Sequence, residues 1–350
     1  MMRKGVATVA QLHEFDEIID ARTPLEFAED RIPGAINLPV LENEQRVVVG
    51  TIYKQRSAFE ARRLGGALVA ENIARHLQGP LRDKPKNWRP LIYCWRGGQR
   101  SGSFATWLRM VGWDACQLEG GYKSFRHHVI AELERLAPVL PLRVICGPTG
   151  SGKTRLLEAL GRKGAQVLDL EDLAAHKGSV LGALPDRAQP PQKAFETAIC
   201  MKLQGFTSTR PIFVEAESRK IGRLFVPESL ILAMRRAPCI AIDASREARL
   251  EFLVRDYAYL GDDIARLHRS IDHLADLQSR ETIAHWKDLA SAHALPELFA
   301  EFMDRHYDPL YRRSQNSNYA AFPSAPRLAT GDLSPQGIER LASRILAETA

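Results

Sequence analysis

The run Gly147-Pro148-Thr149-Gly150-Ser151-Gly152-Lys153-Thr154 satisfies G-x-x-x-x-G-K-[ST] at every fixed position. It lies between an apolar pentapeptide, LRVIC (142–146), and TRLLEALG, whose apolar residues have helical spacing. A strand, a Gly-rich loop and a helix in that order leave few alternatives to a phosphate loop. The loop N–H groups and the helix N-terminus would cradle two linked phosphates, Lys153 would meet the terminal one, and Thr154 would offer a hydroxyl to Mg²⁺. Gly147, Gly150, Ser151, Gly152, Lys153 and Thr154 are therefore candidate phosphate-binding residues. The motif specifies a polyphosphate and leaves open whether that is ATP or another diphosphate.

The strand before this loop opens an alternation that continues through VLDL (167–170), PIFVEA (211–216), CIAID (239–243) and RLAT (327–330). A mostly helical stretch at about 245–320 precedes the closing strand, in the manner of a nucleotide-kinase lid, and Ser334-Pro335 caps a final helix. The first half alternates in the same way. EIID (17–20) leads to Thr23-Pro24-Leu25-Glu26, a capping box with proline at the first helical position. AINLP, a helix opened by Ser57 and ended by Gly79-Pro80, PLIYC (90–94), a helix marked by Phe104, Trp107, Leu108 and Val111, ACQL (115–118) and a helix bearing Tyr122, Phe125, Val129 and Leu133 follow. Both halves thus predict α/β domains with parallel sheets covered by helices, at 1–137 and 138–350, meeting near APVLP.

At 350 residues the chain is long enough for two cores. With 45% hydrophobic and 26% charged residues it has the composition of a globular protein. No apolar stretch approaches the ~18 residues of a membrane span, and the start lacks the apolar core of a secretory signal. A cytoplasmic monomer without membrane contact is expected. The five cysteines form no C-x-x-C pair, which argues against a disulfide framework or zinc site and makes any special cysteine a reactive thiol. Cys116, Cys146, Cys200 and Cys239 read as small core hydrophobes. A net charge of +6 permits a polyanionic partner.

The segment YCWRGGQRS sets Cys94 at a strand end, then a Gly-rich loop, then a helix start. Successive N–H groups in such a loop form a nest for a thiolate or a transferred chalcogen, Gly97 and Gly98 supply the backbone angles, and Arg96 and Arg100 supply positive charge. FDEIIDARTPLEFAEDRIPGAINLP and YCWRGGQRS resemble the opening and active-site loop of a rhodanese domain. That resemblance implies a cysteine that carries sulfur or selenium as a persulfide or perselenide. The Cys-x5-Arg loop here is one residue longer than in typical sulfurtransferases, as in rhodanese-like phosphatases and arsenate reductases, and a larger cradle suits a phosphate-bearing donor better than thiosulfate.

A rhodanese loop followed by a phosphate loop resembles the bacterial tRNA 2-selenouridine synthase family over nearly the whole chain. GTIYKQRSAFEARRLG, VLDLEDLAAHKGSVLG and HYDPLY are further segments similar to it. The resemblance implies a rhodanese-like domain joined to a P-loop NTPase-like domain. It further implies conversion of wobble 2-thiouridine to 2-selenouridine in tRNAs for Lys, Glu and Gln, by S-geranylation from geranyl diphosphate and then selenation from selenophosphate through an S-selanylcysteine at Cys94. No cofactor is expected to be tightly bound, Mg²⁺ is allowed, and a supply of selenophosphate is implied as a partner function.

Other candidates stay open at this level. Asp169, Glu171, His176, Glu215 and Glu217 are strand-end groups suited to acid/base work or to holding a metal-bound water. Arg219, Lys220 and Arg223, with His306, Tyr307, Tyr311, Arg312 and Arg313, combine cations and aromatics as single-stranded RNA grooves do, and equally as a helix with buried tyrosines does. Two other functions fit the motifs: an ATP-dependent kinase fused to a sulfurtransferase or rhodanese-like phosphatase, and an RNA-binding protein with a redox-sensing thiol.

Overall fold

The computed structural model describes residues 5–179 and 181–349, the side chains of 312 and 314–316 excepted. The chain divides into two compact units, Met1–Glu132 and Leu133–Ala350.

The first unit contains β1 (Val6–Ala7), β2 (Glu17–Asp20), α1 (Pro24–Glu29), β3 (Ile36–Asn37), α2 (Asn43–Gln55), α3 (Ala58–Gln78), β4 (Pro90–Tyr93), α4 (Gln99–Val111), β5 (Cys116–Leu118) and most of α5 (Gly121–Leu136). Its parallel sheet has the order β1-β5-β4-β2-β3, with β4 in the centre, so Cys94 leaves the middle of the sheet at its C-terminal edge. The Thr23 hydroxyl accepts from the Glu26 N–H, and the Glu26 carboxylate accepts from the Thr23 N–H, completing the capping box. Ser57 caps α3 by accepting from the Phe59 and Glu60 N–H groups. The helix α2 has no sharp apolar stripe and buries no residue fully, which is why periodicity does not reveal it.

Periodicity also places Leu64, Trp107 and Val111 on core-facing stripes, and the structure leaves all three exposed, at 37%, 42% and 53%. Helix α3 instead buries Ala61, Gly65, Asn72 and Ile73. Gly65 lets α2 approach: a β-carbon there would lie 3.2 Å from Val49.

Beneath the sheet edge lies a polar network closed to solvent. Arg22 donates to Asp20 at 2.6–3.1 Å and to the Asp30 carbonyl at 2.7 Å. Its guanidinium stacks 4.0 Å from the Tyr122 ring centre, and the Tyr122 hydroxyl donates to Asp30 at 2.7 Å. Both Asp20 and Arg22 are essentially inaccessible, so each needs the other.

The second unit contains β6 (Leu142–Cys146), α6 (Lys153–Arg162), β7 (Gln166–Leu168), α7 (Leu170–Ala174), α8 (Gln192–Gln204), β8 (Ile212–Glu215), β9 (Lys220–Ile221), β10 (Leu224–Phe225), α9 (Glu228–Arg236), β11 (Cys239–Ala244), α10 (Arg246–Asp256), α11 (Ile264–Asp272), α12 (Arg280–Ser291), α13 (Leu295–Phe302), α14 (Asp308–Asn318), β12 (Arg327–Thr330) and α15 (Pro335–Thr349). The parallel order β12-β11-β6-β8-β7 puts β6 in the centre. The expected strand VLDL ends early, because Asp169 turns out of the sheet to cap α7 by accepting from the Asp172 N–H. One core forms between the sheet, α6 and α15, with Leu157, Leu160, Ile338 and Ile345 among its members. A second forms within α10–α13 around Trp286, Phe299 and Phe302. No helix among the described residues is long and apolar enough to cross a membrane.

The buried pair generates a stability prediction. Arg22→Met strands the Asp20 charge and should lower the unfolding free energy of the first unit by about 3–5 kcal/mol. Asp20→Asn combined with Arg22→Met should recover part of that loss in urea unfolding. Equal losses in the single and double variants would show that the pair is not the source.

Candidate active sites: a thiol loop and a phosphate loop

In the first unit, residues 94–98 connect the central strand β4 to α4. Gly97 has φ +63°, and α4 starts at Gly98 without a side-chain cap, so its first N–H groups face the loop. The loop is clamped from the β5–α5 turn: the Tyr122 N–H donates to the Cys94 carbonyl at 2.8 Å and the Lys123 N–H to the Trp95 carbonyl at 2.9 Å. Gly121 makes this approach feasible, since a β-carbon there would lie 2.2 Å from the Cys94 carbonyl oxygen and 2.5 Å from the Gly97 nitrogen.

Cys94 is buried, and the Ser101 hydroxyl, in the first turn of α4, lies 3.1 Å from its Sγ. Gln117 Nε2 donates to Ser101 Oγ at 2.8 Å, which directs the hydroxyl hydrogen toward the sulfur. Arg96 is exposed and makes no ion pair among the described residues. Arg100 is held in a two-pronged pair with Glu26, at 2.6 and 3.2 Å, so its charge is matched within the unit and ties α4 to α1. Ser101 closes the quoted loop segment and Glu26 the quoted capping box, but their roles beside Cys94 and Arg100 are not read from either motif, and Gln117 and Gly121 lie outside both. The sequence signal for Gly121 is the Gly120-Gly121 pair before an apolar helix.

In the second unit, residues 147–152 connect β6 to α6, with Gly150 at φ +83° and Gly152 at φ +72°. Helix α6 also starts without a side-chain cap. Lys153 Nζ folds back to donate to the Gly147 carbonyl at 2.9 Å, the position from which it would swing to a phosphate. Arg249, buried on α10, donates to the Thr149 carbonyl at 2.9 Å and pairs with both oxygens of Asp308, which belongs to the HYDPLY segment. The helical region thereby fixes the loop.

Near Lys153 are the carboxylates of Glu171 and Glu217, with those of Asp169 and Glu215 beside them. Thr154 Oγ1 donates to Glu171 at 2.6 Å, and Glu215 Oε1 accepts from the Leu170 and Glu171 N–H groups at 2.8 and 3.0 Å. Burial, and then the neighbouring Glu217 charge, pushes Glu171 up to about 8. Burial above all pushes Asp169 up to about 6 and raises Glu215 and Glu217. These hard oxygen donors beside a phosphate loop fit Mg²⁺, with Thr154 and Glu171 as the residues that would hold it. The described residues contain no cluster of three or more ligating side chains that would hold a metal without help from a bound phosphate.

The loop and carboxylates open on a cavity of about 660 Å³, whose lining also includes Phe252, Leu253, Tyr257, Tyr307, Leu310 and Tyr311. Tyr307 and Tyr311, candidates for an RNA surface from sequence, thus line the phosphate-loop cavity. His176 and His306 also line it, and burial holds both imidazoles below their ordinary value. Arg219 and Lys220 are exposed on or beside the β9–β10 hairpin just after Glu217, and Arg223 donates from it to the Gln189 carbonyl. Arg313 is exposed, and the Arg312 side chain lies outside the described residues.

A parallel-sheet unit with a clamped thiol loop, followed by a unit with a phosphate loop and a helical region before its last strand, defines a rhodanese-like domain joined to a P-loop domain. Residues 6–128 match the Rhodanese-like domain profile, and residues 140–271 match the profile described as the tRNA 2-selenouridine synthase AAA domain. Proteins named tRNA 2-selenouridine synthase are similar over long spans. That of Alcanivorax borkumensis is 33% identical over 323 residues, 84% of this chain and 88% of that protein. That of Aeromonas salmonicida is 33% identical, covering 84% and 86%. That of Nitrosomonas europaea is 38% identical over 244 residues, 69% of this chain and 63% of that protein, so the match spans less than two thirds of the latter. A solved N-terminal domain of an ATP/GTP binding protein from Clostridium difficile 630 aligns with 35% of this chain and 98% of its own, at 38% identity and TM-score 0.32. The chain belongs to the tRNA 2-selenouridine synthase family.

The Glu26–Arg100 pair gives a pH prediction. Burial opposes ionisation of Glu26, but the hydrogen bonds and charge of Arg100, with the Thr23 N–H, hold its carboxyl below 4.5. A depressed carboxylate contributes stability that is present above its unfolded value and lost as pH falls through the lower folded value. The difference in urea midpoint between the wild type and Glu26→Gln should therefore be largest at neutral pH and shrink on acidification. A difference independent of pH would contradict this assignment.

Proposed function

We propose that this protein converts 2-thiouridine at the wobble position of tRNAs for Lys, Glu and Gln to 2-selenouridine in two steps, using geranyl diphosphate and then selenophosphate. The observation that carries this reading is the apolar lining that adjoins the phosphate loop. A phosphate loop whose cavity continues onto Phe252, Leu253, Tyr257 and Leu310 suits a diphosphate attached to an apolar chain. A smaller extension of the same lining reaches Leu181, Phe299 and Phe302.

In the first step the 2-thio sulfur attacks the allylic carbon of geranyl diphosphate. The C–S bond forms, the C–O bond breaks with its electron pair going to diphosphate, and the N3 proton leaves the base. The Gly150–Thr154 amides and Lys153 receive the departing charge. Mg²⁺, when bound, adds charge neutralisation at the same oxygens. The carboxylate of Asp169, which lines the same cavity, is a suitable acceptor for the N3 proton. ATP hydrolysis is not needed, because alkylation has already turned the sulfur into a leaving group.

In the second step selenium bonds to C2 and the C2–S bond breaks, releasing geranylthiol. Water cleaves the P–Se bond, and phosphate is the other product, so the net step consumes neither oxidant nor reductant. Carriage of selenium on Cys94 as S-selanylcysteine adds a two-electron oxidation on loading, with a disulfide as oxidant, and reduction of the S–Se bond by a thiol on discharge. The Ser101–Gln117 relay would orient the sulfur, and exposed Arg96 would meet the phosphate of the donor.

The test is mass spectrometry of nucleosides from 2-thiouridine tRNA incubated with both donors. Cys94→Ala should accumulate the S-geranyl nucleoside, and Lys153→Ala should leave 2-thiouridine, with geranylation reduced by about 100-fold or more, in line with loss of one transition-state charge partner. ATP turnover or sulfur transfer to small acceptors, with the nucleoside unchanged by the wild type, would instead favour a kinase fused to a sulfurtransferase.

A further inference from the structure

A second cavity, of about 550 Å³, lies within the first unit between the α2–α3 hairpin and α4. Its lining includes Gln99 and Arg100, the first turn of α4 directly after the Cys94 loop. Its floor is made of small residues: at Gly66 a β-carbon would meet nothing within 4 Å. Val49 and Val69 supply aliphatic sides, and Tyr53 and Trp107 stand at 56% and 42% exposure. Trp107 is the residue that helical spacing assigns to the core, so its exposure sets a large apolar surface in water without any gain in packing. Arg46 and Arg62 also line this cavity, and neither is ion-paired among the described residues.

Small floor, aromatic walls and uncommitted guanidinium groups correspond, in order, to an apolar chain, a base face and RNA phosphates. We infer that this groove binds the S-prenylated wobble nucleoside within its RNA strand, holding the allyl thioether on α3 over Gly66 and Ala70 and presenting C2 of the base to the Cys94 loop. The inference rests on the two-step reading above, since only that reading brings an alkylated base to the thiol unit. A base whose 2-thio sulfur is not alkylated leaves the floor empty and binds less well.

The experiment uses the full-length protein and two anticodon stem-loop RNAs, one with S-geranyl-2-thiouridine and one with 2-thiouridine. Binding is read by fluorescence anisotropy, and selenation of the geranylated RNA by nucleoside mass spectrometry. The wild type should prefer the geranylated RNA by about tenfold, equivalent to roughly 1.4 kcal/mol. Gly66→Trp, on an exposed helix position with room for the new side chain, should abolish that preference and raise the KM for selenation. Arg62→Glu, at a surface position where folding is not at risk, should weaken both RNAs alike. Both variants should unfold in urea with the wild-type midpoint, a readout that general damage would not spare. A folded Gly66→Trp protein that keeps the preference and the KM overturns the groove assignment while leaving the two-step reading intact. A wild type that neither makes nor prefers the geranylated RNA overturns both.

Discussion

Each unit depends on the same electrostatic constraint: a helix whose first N–H groups have no internal partner begins where a central parallel strand ends. Helices α4 and α6 start at Gly98 and Gly152, and neither start has a side-chain cap, whereas Thr23, Ser57, Ser245 and Ser279 cap other helices in the chain. A terminus of this kind favours negative charge. Under the proposed function, the anion in one unit is sulfur-borne, on Cys94 or its cargo, and in the other it is phosphate. The rest of each unit serves to hold these two loops in shape, through Gly121 and the Tyr122 and Lys123 amides in the first and through Arg249 and Asp308 in the second.

The phosphate-loop unit balances charge without a fixed counterion. One lysine accompanies four carboxylates, and burial together with mutual repulsion raises their proton affinities. Lys153 meanwhile rests on the Gly147 carbonyl and Thr154 on Glu171. A ligand that brings phosphates with a divalent cation satisfies both sides at once, since the phosphates meet Lys153 and the cation meets the carboxylates. In the proposed function, the apolar lining beside the loop is what distinguishes which diphosphate is retained.

The two loops and the parallel α/β architecture are legible in the sequence because they are local: strand, glycines and helix start fall within about a dozen consecutive residues. Longer-range support is not legible in the same way. The contacts Gln117–Ser101, Glu26–Arg100, Arg249–Thr149 and Asp308–Arg249 join residues 16, 74, 100 and 59 positions apart, and no spacing rule links them. Periodicity also misplaces Leu64 and Trp107, because helical spacing reports an apolar stripe and not what covers it. Tyr307 and Tyr311 illustrate the same limit: aromatics beside cations read equally as an RNA surface and as a helix with buried tyrosines, and only the fold shows that these two line the phosphate-loop cavity.

The central claim is that the phosphate loop serves a prenyl diphosphate. Calorimetric titration of the wild type with geranyl diphosphate, inorganic diphosphate and ATP, each with Mg²⁺, tests it most directly. The account predicts that geranyl diphosphate binds more tightly than inorganic diphosphate, through the apolar wall, and that it displaces ATP without ATP hydrolysis. Tight binding and turnover of ATP, with no heat from geranyl diphosphate, would contradict it.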